Sequence, residues 1–119
     1  MSSGNIYMEG GYQKAVDQKV TGITTTGTKL QLLLERPLNN FMLQVYGEGD
    51  VPTAWDVRLK GGLDSDKVGT MVNHESTGDD DGDLKTVQGL PAKHIEIEVN
   101  GLTLGSATGI TVVVIGMKQ

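Results

Sequence analysis

Two short stretches constrain this chain more than any other feature. In residues 54–60, Trp55, Val57 and Leu59 alternate with Asp56, Arg58 and Lys60. In residues 93–99, Ile95, Ile97 and Val99 alternate with His94, Glu96 and Glu98. A period of two puts every other side chain on one face of an extended backbone. Each stretch is therefore predicted to be a strand with one buried and one charged face. The remaining composition agrees: the 119 residues include 12 Val, 6 Ile and 12 Thr, with 17 Gly to supply turns. β-branched side chains are stiff at χ1 and suit a pleated surface better than a helix. The expectation is an all-β domain.

The rest of the chain divides in the same terms. Residues 15–20 fit a helical turn or the entry to a strand, and Thr21–Thr26 following at once favours the strand; residues 28–34 form a second, closed by Arg36-Pro37 because proline cannot donate to a ladder. Asn39-Asn40 supplies a turn. Phe41, Leu43 and Val45 then share one face of a central strand, with Met42, Gln44 and Tyr46 on the other. Gly47–Asp50 breaks that strand, and Gly61-Gly62 ends the one over residues 54–60. Residues 67–73 form a weaker strand and residues 76–83 a loop. Residues 84–88 make a short strand stopped by Gly89-Leu90-Pro91, and Asn100-Gly101 is a turn signal. Residues 102–108 are an irregular connection. Residues 110–115 are apolar on both faces, which places them centrally, and Gly116 ends them. The count is about eight short antiparallel strands, the pattern of a β-sandwich or jelly-roll-like domain over residues 15–119.

Residues 1–14 show no period and read as a flexible N-terminal arm. They gather Ile6, Tyr7, Met8 and Tyr12 within a few positions, more apolar surface than a solvated tail carries. Three readings stand: an arm folded over its own domain, an arm packed on a neighbouring subunit, and plain disorder. Ile6, Tyr7, Met8 and Tyr12 are the candidate partner-binding residues.

Several function classes are disfavoured. With 15 acidic against 10 basic residues the formal charge is −5, which opposes phosphate binding through clustered Lys and Arg; no nucleic-acid partner is expected. No apolar run approaches the roughly 18 residues of a membrane span, so no membrane partner is expected. The start MSSGNIYMEGG lacks the basic and apolar regions of a secretory signal. There is no cysteine for a disulfide, a thiolate or a metal ligand. The acidic run Asp79-Asp80-Asp81-Gly82-Asp83 invites calcium, but its glycine is misplaced for the EF-hand pattern and Leu90 stands where the closing Glu belongs, so a solvated loop tip is the better account. His74 and His94 read as surface residues. The serines lie in loops or the arm, and none sits in a nucleophile elbow. No catalytic, cofactor-binding or metal-binding residue is therefore assigned, and an enzyme is not expected. Trp55 falls on the apolar side of its strand as a core anchor, whereas Tyr46 is either exposed or faces a second sheet. A carbohydrate-binding or adhesion module would need such an aromatic in the open.

The run Ala54-Trp55-Asp56-Val57-Arg58-Leu59-Lys60-Gly61-Gly62-Leu63-Asp64, followed by Pro91-Ala92-Lys93-His94-Ile95-Glu96-Ile97-Glu98-Val99, resembles the layout of small β-sandwich structural proteins of tailed bacteriophages. The likeness spans residues 41–115. The chain departs from that layout where Gly62-Leu63-Asp64-Ser65 replaces a Ser-x-Asp-Gly turn, and where His94 and Glu96 stand in place of an aromatic and an arginine. The resemblance implies a virion component of the head decoration, or cement, type, assembled in a bacterial cytoplasm. Its implied partners are the major capsid protein or other virion proteins, and it implies a homo-oligomer, with a trimer as the expectation.

Overall fold

The computed structural model describes residues 14–64, 67–77 and 81–117. Six strands run through them: β1 (Lys14–Ile23), β2 (Gly27–Glu48), β3 (Ala54–Asp64), β4 (Lys67–Ser76), β5 (Leu84–Thr103) and β6 (Gly109–Met117). They form one antiparallel sheet in the order β1-β6-β2-β5-β3-β4. The all-β expectation holds, and the described residues contain no helix.

The strand count differs from the expected eight because two pairs of expected strands are fused. β2 joins residues 28–34 to 41–46, and β5 joins residues 84–88 to 93–99. β2 has 22 residues, and at about 3.3 Å per residue it would run about 73 Å if straight. The longest dimension of the molecule is 41 Å, so β2 bends. The bend is visible in the ladder. Leu33 pairs with His94 and Leu38 with Ala92, so β2 advances by more residues than β5. Asn40 then pairs with Gln88, so β5 advances by more. These are bulges on opposite strands, and bulges kink and twist a strand.

The residues read as stops supply this corner. Pro37 lies where the ladder is interrupted, so its missing N–H costs no pairing. Gly89 takes φ +83°, a conformation closed to most side chains. Asn100-Gly101, read as a turn, is another bulge: Asp56 pairs with Gly101 and Val57 with Val99, leaving Asn100 over. Gly47, Gly61 and Gly62, expected to end strands, lie inside β2 and β3. Gly116 likewise lies inside β6, where a Cβ would stand 2.9 Å from the Phe41 ring.

The core follows the predicted faces. Phe41, Leu43 and Val45, Trp55, Val57 and Leu59, Ile95, Ile97 and Val99, and Ile110, Val112 and Val114 are all buried in one cluster. β6 lies between β1 and β2, as its two-sided apolar sequence requires. The bend lets β2 and β5 serve two regions. Their first and second halves cross over, so that residues 40–48 of β2 pair with β6 and residues 94–103 of β5 pair with β3.

Candidate functional site

A cleft of about 440 Å³ opens where β3 begins and β4 and β5 end. Asp56, Glu75, Ser76, Leu102 and Thr103 line it, with Trp55 at its floor. Trp55 is 2 % exposed, so it presents no ring for a sugar to stack on. Its indole is held from behind: Nε1 donates to Nδ1 of His74 at 3.1 Å, with ring centroids 5.6 Å apart and planes tilted by 55°. An indole N–H can only donate, so Nδ1 of His74 is the acceptor and Nε2 carries the proton. Nε2 in turn donates to the Asp83 carbonyl at 2.9 Å.

His74 is therefore fully buried rather than the surface residue its sequence suggested. The physical reason is the tryptophan. A buried indole N–H needs an acceptor, and His74 stands opposite Val57 on the neighbouring strand, within reach. Burial of a lone tryptophan was the available signal. His94 lies elsewhere, half-buried on β5 opposite Gly62.

At the side of the cleft, Asp56 Oδ2 accepts from Arg58 Nη2 at 3.3 Å and from the bulged Asn100 Nδ2 at 3.0 Å. Asp56 Oδ1 and Arg58 Nε are buried without a hydrogen-bond partner among the described residues.

The acidic loop is tied to the sheet. Asp79 and Asp80 lie outside the described residues. Asp81 Oδ1 accepts from the Gly47 amide at 2.7 Å, Gly82 N donates to Val45 O at 2.8 Å, and Gln44 Nε2 donates to Gly82 O at 2.7 Å. Asp81 is thus a loop anchor. Among the described residues no group of three or more His, Asp or Glu is placed to hold a metal ion.

Glu48 fastens a second junction. Its Oε2 accepts from the Gly22 amide at 2.8 Å and from Thr111 Oγ1 at 2.5 Å, joining the β1 end to β6. The Gly22 amide, then the Thr111 hydroxyl, hold its carboxyl below the ordinary value.

The two outward faces of the sheet differ in chemistry. Over β3 and the second half of β5 the outer residues form a charged ladder: Lys60 Nζ lies 3.6 Å from Glu98 Oε1, and Gln31 Nε2 donates to Glu96 Oε1 at 2.8 Å. Over the second half of β2 and the end of β6 the outer residues are mainly apolar. Met42, Leu84, Val113 and Ile115, with Gln44, line a shallow groove of about 160 Å³, and Leu84 is 59 % exposed. Tyr46 is half-buried in phase with Met42 and Gln44. The candidate partner residues Ile6, Tyr7, Met8 and Tyr12 lie outside the described residues.

No family model matches the chain, and no curated protein matches it in sequence. No helix of the described residues is long and apolar enough to cross a membrane.

Proposed function

We propose that this chain is a non-enzymatic structural protein of a virion, a capsid decoration protein that binds and stabilises a phage head lattice. The observation that carries the reading is the contrast between its outward faces. One carries paired charges, with the exposed Leu33 beside them, and the other carries an apolar strip on a sheet whose buried cluster does not include it. A body built this way docks by one face and keeps the other in water. The phage resemblance of residues 41–115 supplies the partner class: the major capsid protein or another virion protein. Some of the polar groups that would attract a catalytic reading are engaged in the fold, while, among the described residues, Asp56 Oδ1 and Arg58 Nε are not. Both nitrogens of His74 and one oxygen of Asp81 are committed to holding Trp55, Asp83 and Gly47.

In the same reading the sheet is folded over as a β-sandwich, with β2 and β5 as corner strands shared by two layers. One layer would run β1-β6-β2-β5 and the other β2-β5-β3-β4, each strand half counted where it pairs. One buried cluster in a bent sheet supports this, since a single layer leaves its apolar face uncovered. Repetition on a shell would turn modest contacts into firm attachment, and a homo-oligomer, a trimer in the simplest case, would supply it. An arm carrying Ile6, Tyr7, Met8 and Tyr12 would add contact to a neighbouring copy.

The test is sedimentation of native lysate from the source on a sucrose gradient. Migration with megadalton particles supports the reading; a small species at the top of the gradient refutes it. Deletion of residues 1–14 should leave the domain folded and weaken particle binding, and unchanged binding would remove the arm from the mechanism.

A second reading, a glycan-binding or adhesion module, is favoured by the cleft beside Asp56 and Glu75. Two carboxylates beside Leu102 suit a polyhydroxylated ligand, without the stacking that a buried Trp55 denies. Titration with oligosaccharides should then shift the NMR signals of Leu102 and Thr103; no shift excludes it.

A further inference from the structure

We propose that the apolar groove on β2 and β6 is the seat of residues 6–8 of the same chain. The groove consists of outward residues of neighbouring strands. Met42 stands opposite Ile115, and Gln44 stands between Val113 on one side and Leu84 on the other. Among the described residues no charged side chain lines it, and Asp17 and Lys19 on β1 flank it opposite Ile115 and Val113. At about 160 Å³ it has room for a few aliphatic side chains.

The segment that fits is readable from the sequence. Of the residues outside the described ones, 65–66, 78–80 and 118–119 are Ser, Asp, Gly, Lys and Gln. Only residues 1–13 carry large apolar side chains, with Ile6, Tyr7 and Met8 in a row, and Glu9 is their one ionisable acidic or basic side chain of ordinary charge at neutral pH. An apolar, nearly uncharged segment and an apolar, uncharged groove are chemically matched.

Geometry brings them together. The described chain enters at Lys14, opposite Met117, two residues along β6 from Ile115. Two strand spacings and two residues separate Lys14 from Met42, about 12 Å in all. The six residues from Met8 to Lys14 span up to about 20 Å when extended. The segment must reverse to reach the groove, and Gly10-Gly11 stands between Met8 and Tyr12 to allow it. A short tether also favours the chain's own segment over that of a second copy, because its effective concentration is high. Seated there, residues 6–8 cover the apolar strip by which the particle reading has the protein dock, so on a particle the segment would have to leave the groove; the seat itself is tested on the free protein.

The chain has no cysteine, so a single Leu84→Cys variant takes one spin label at the groove rim. The full chain, 15N-labelled and spin-labelled, is diluted into unlabelled protein and its amide signals are recorded before and after reduction of the label. Residues 6–8 should lose most of their intensity while the label is active, and Ile115→Glu, or the milder Ile115→Thr, in the same background should restore it. Undiminished signals overturn the proposal. So does loss that appears only when spin-labelled 14N protein is mixed with unlabelled 15N protein, which would assign the groove to a second copy. Loss that persists in both Ile115 variants also overturns it. A failed gradient experiment with a positive result here would leave this inference standing and refute only the particle reading.

Discussion

The Trp55–His74 pair makes a demand that a double-mutant cycle can measure. His74→Phe keeps a ring beside the indole but removes its acceptor. The Trp55 N–H is then buried and unpaired, at a cost of about 1–3 kcal/mol. The other bond lost, to the Asp83 carbonyl, is lost in the double variant as well, so its cost cancels from the comparison. Trp55→Phe leaves Nδ1 of His74 without its donor, again about 1–3 kcal/mol, and adds the cost of the space vacated by the smaller ring. In the double variant no buried polar atom is orphaned, because both partners are apolar. Only the packing defect and the lost Asp83 bond remain. The double variant should therefore be more stable than the sum of the singles predicts, by the two relieved penalties together, about 2–6 kcal/mol. Unfolding in urea followed by circular dichroism reads this without relying on Trp55, the only tryptophan. Equal m-values across the four proteins make the comparison valid. Additivity within about 0.5 kcal/mol would refute the argument that this hydrogen bond is what accommodates an indole in the core.

Other consequences are as direct. Gly116→Ala puts a Cβ 2.9 Å from the Phe41 ring and should destabilise the fold by about 1–3 kcal/mol in the same assay; a neutral result would mean that Phe41 yields freely. Glu48 has its carboxyl lowered below the ordinary 4.5 by the Gly22 amide and the Thr111 hydroxyl. The unfolded chain binds that proton more readily, so the contribution of Glu48 is full above 4.5 and is lost as pH falls below it. Glu48→Gln should thus be less stable than wild type at neutral pH, with the gap closing in acid; a gap constant with pH would sink this assignment. Asp81→Ala removes the acceptor for Gly47 N and should speed amide exchange at Gly47 and Gly82, with a stability loss of about 0.5–1.5 kcal/mol; unchanged exchange would show that the loop is held without it.

What was legible in the sequence was the facing of side chains. The alternations at 41–46, 54–60 and 93–99 state which residues are buried, and burial follows them residue by residue. Two-sided apolarity at 110–115 gave the central place of β6. What the sequence did not separate was a turn from a bulge. Pro37, Gly89, Pro91 and Asn100-Gly101 have the chemistry of chain reversal, and positive φ and missing donors serve a bent strand equally well. Only the long-range ladder, Leu33 with His94 and Asn40 with Gln88, decides between them. The candidate site was less legible still. His74 carries no local mark of burial, because its partner is 19 positions away. The groove is assembled from three strands, and only its β2 face was marked by period.

The position of β6 between β1 and β2 also sets the order in which the molecule can be made. β1 has its sole partner at the far end of the described chain, and β2 borders β5 and β6 rather than the strands nearest it in sequence. A nascent chain that has emerged through β4 holds one complete hairpin, β3 with β4, while β1 and β2 wait with open edges. Closing such distant pairs is slow, because loop entropy is lost before the contacts are gained. In that interval the apolar stretches of β2 are exposed to other chains. High-level expression should therefore favour inclusion bodies over native protein, and slower synthesis or lower temperature should shift the balance back.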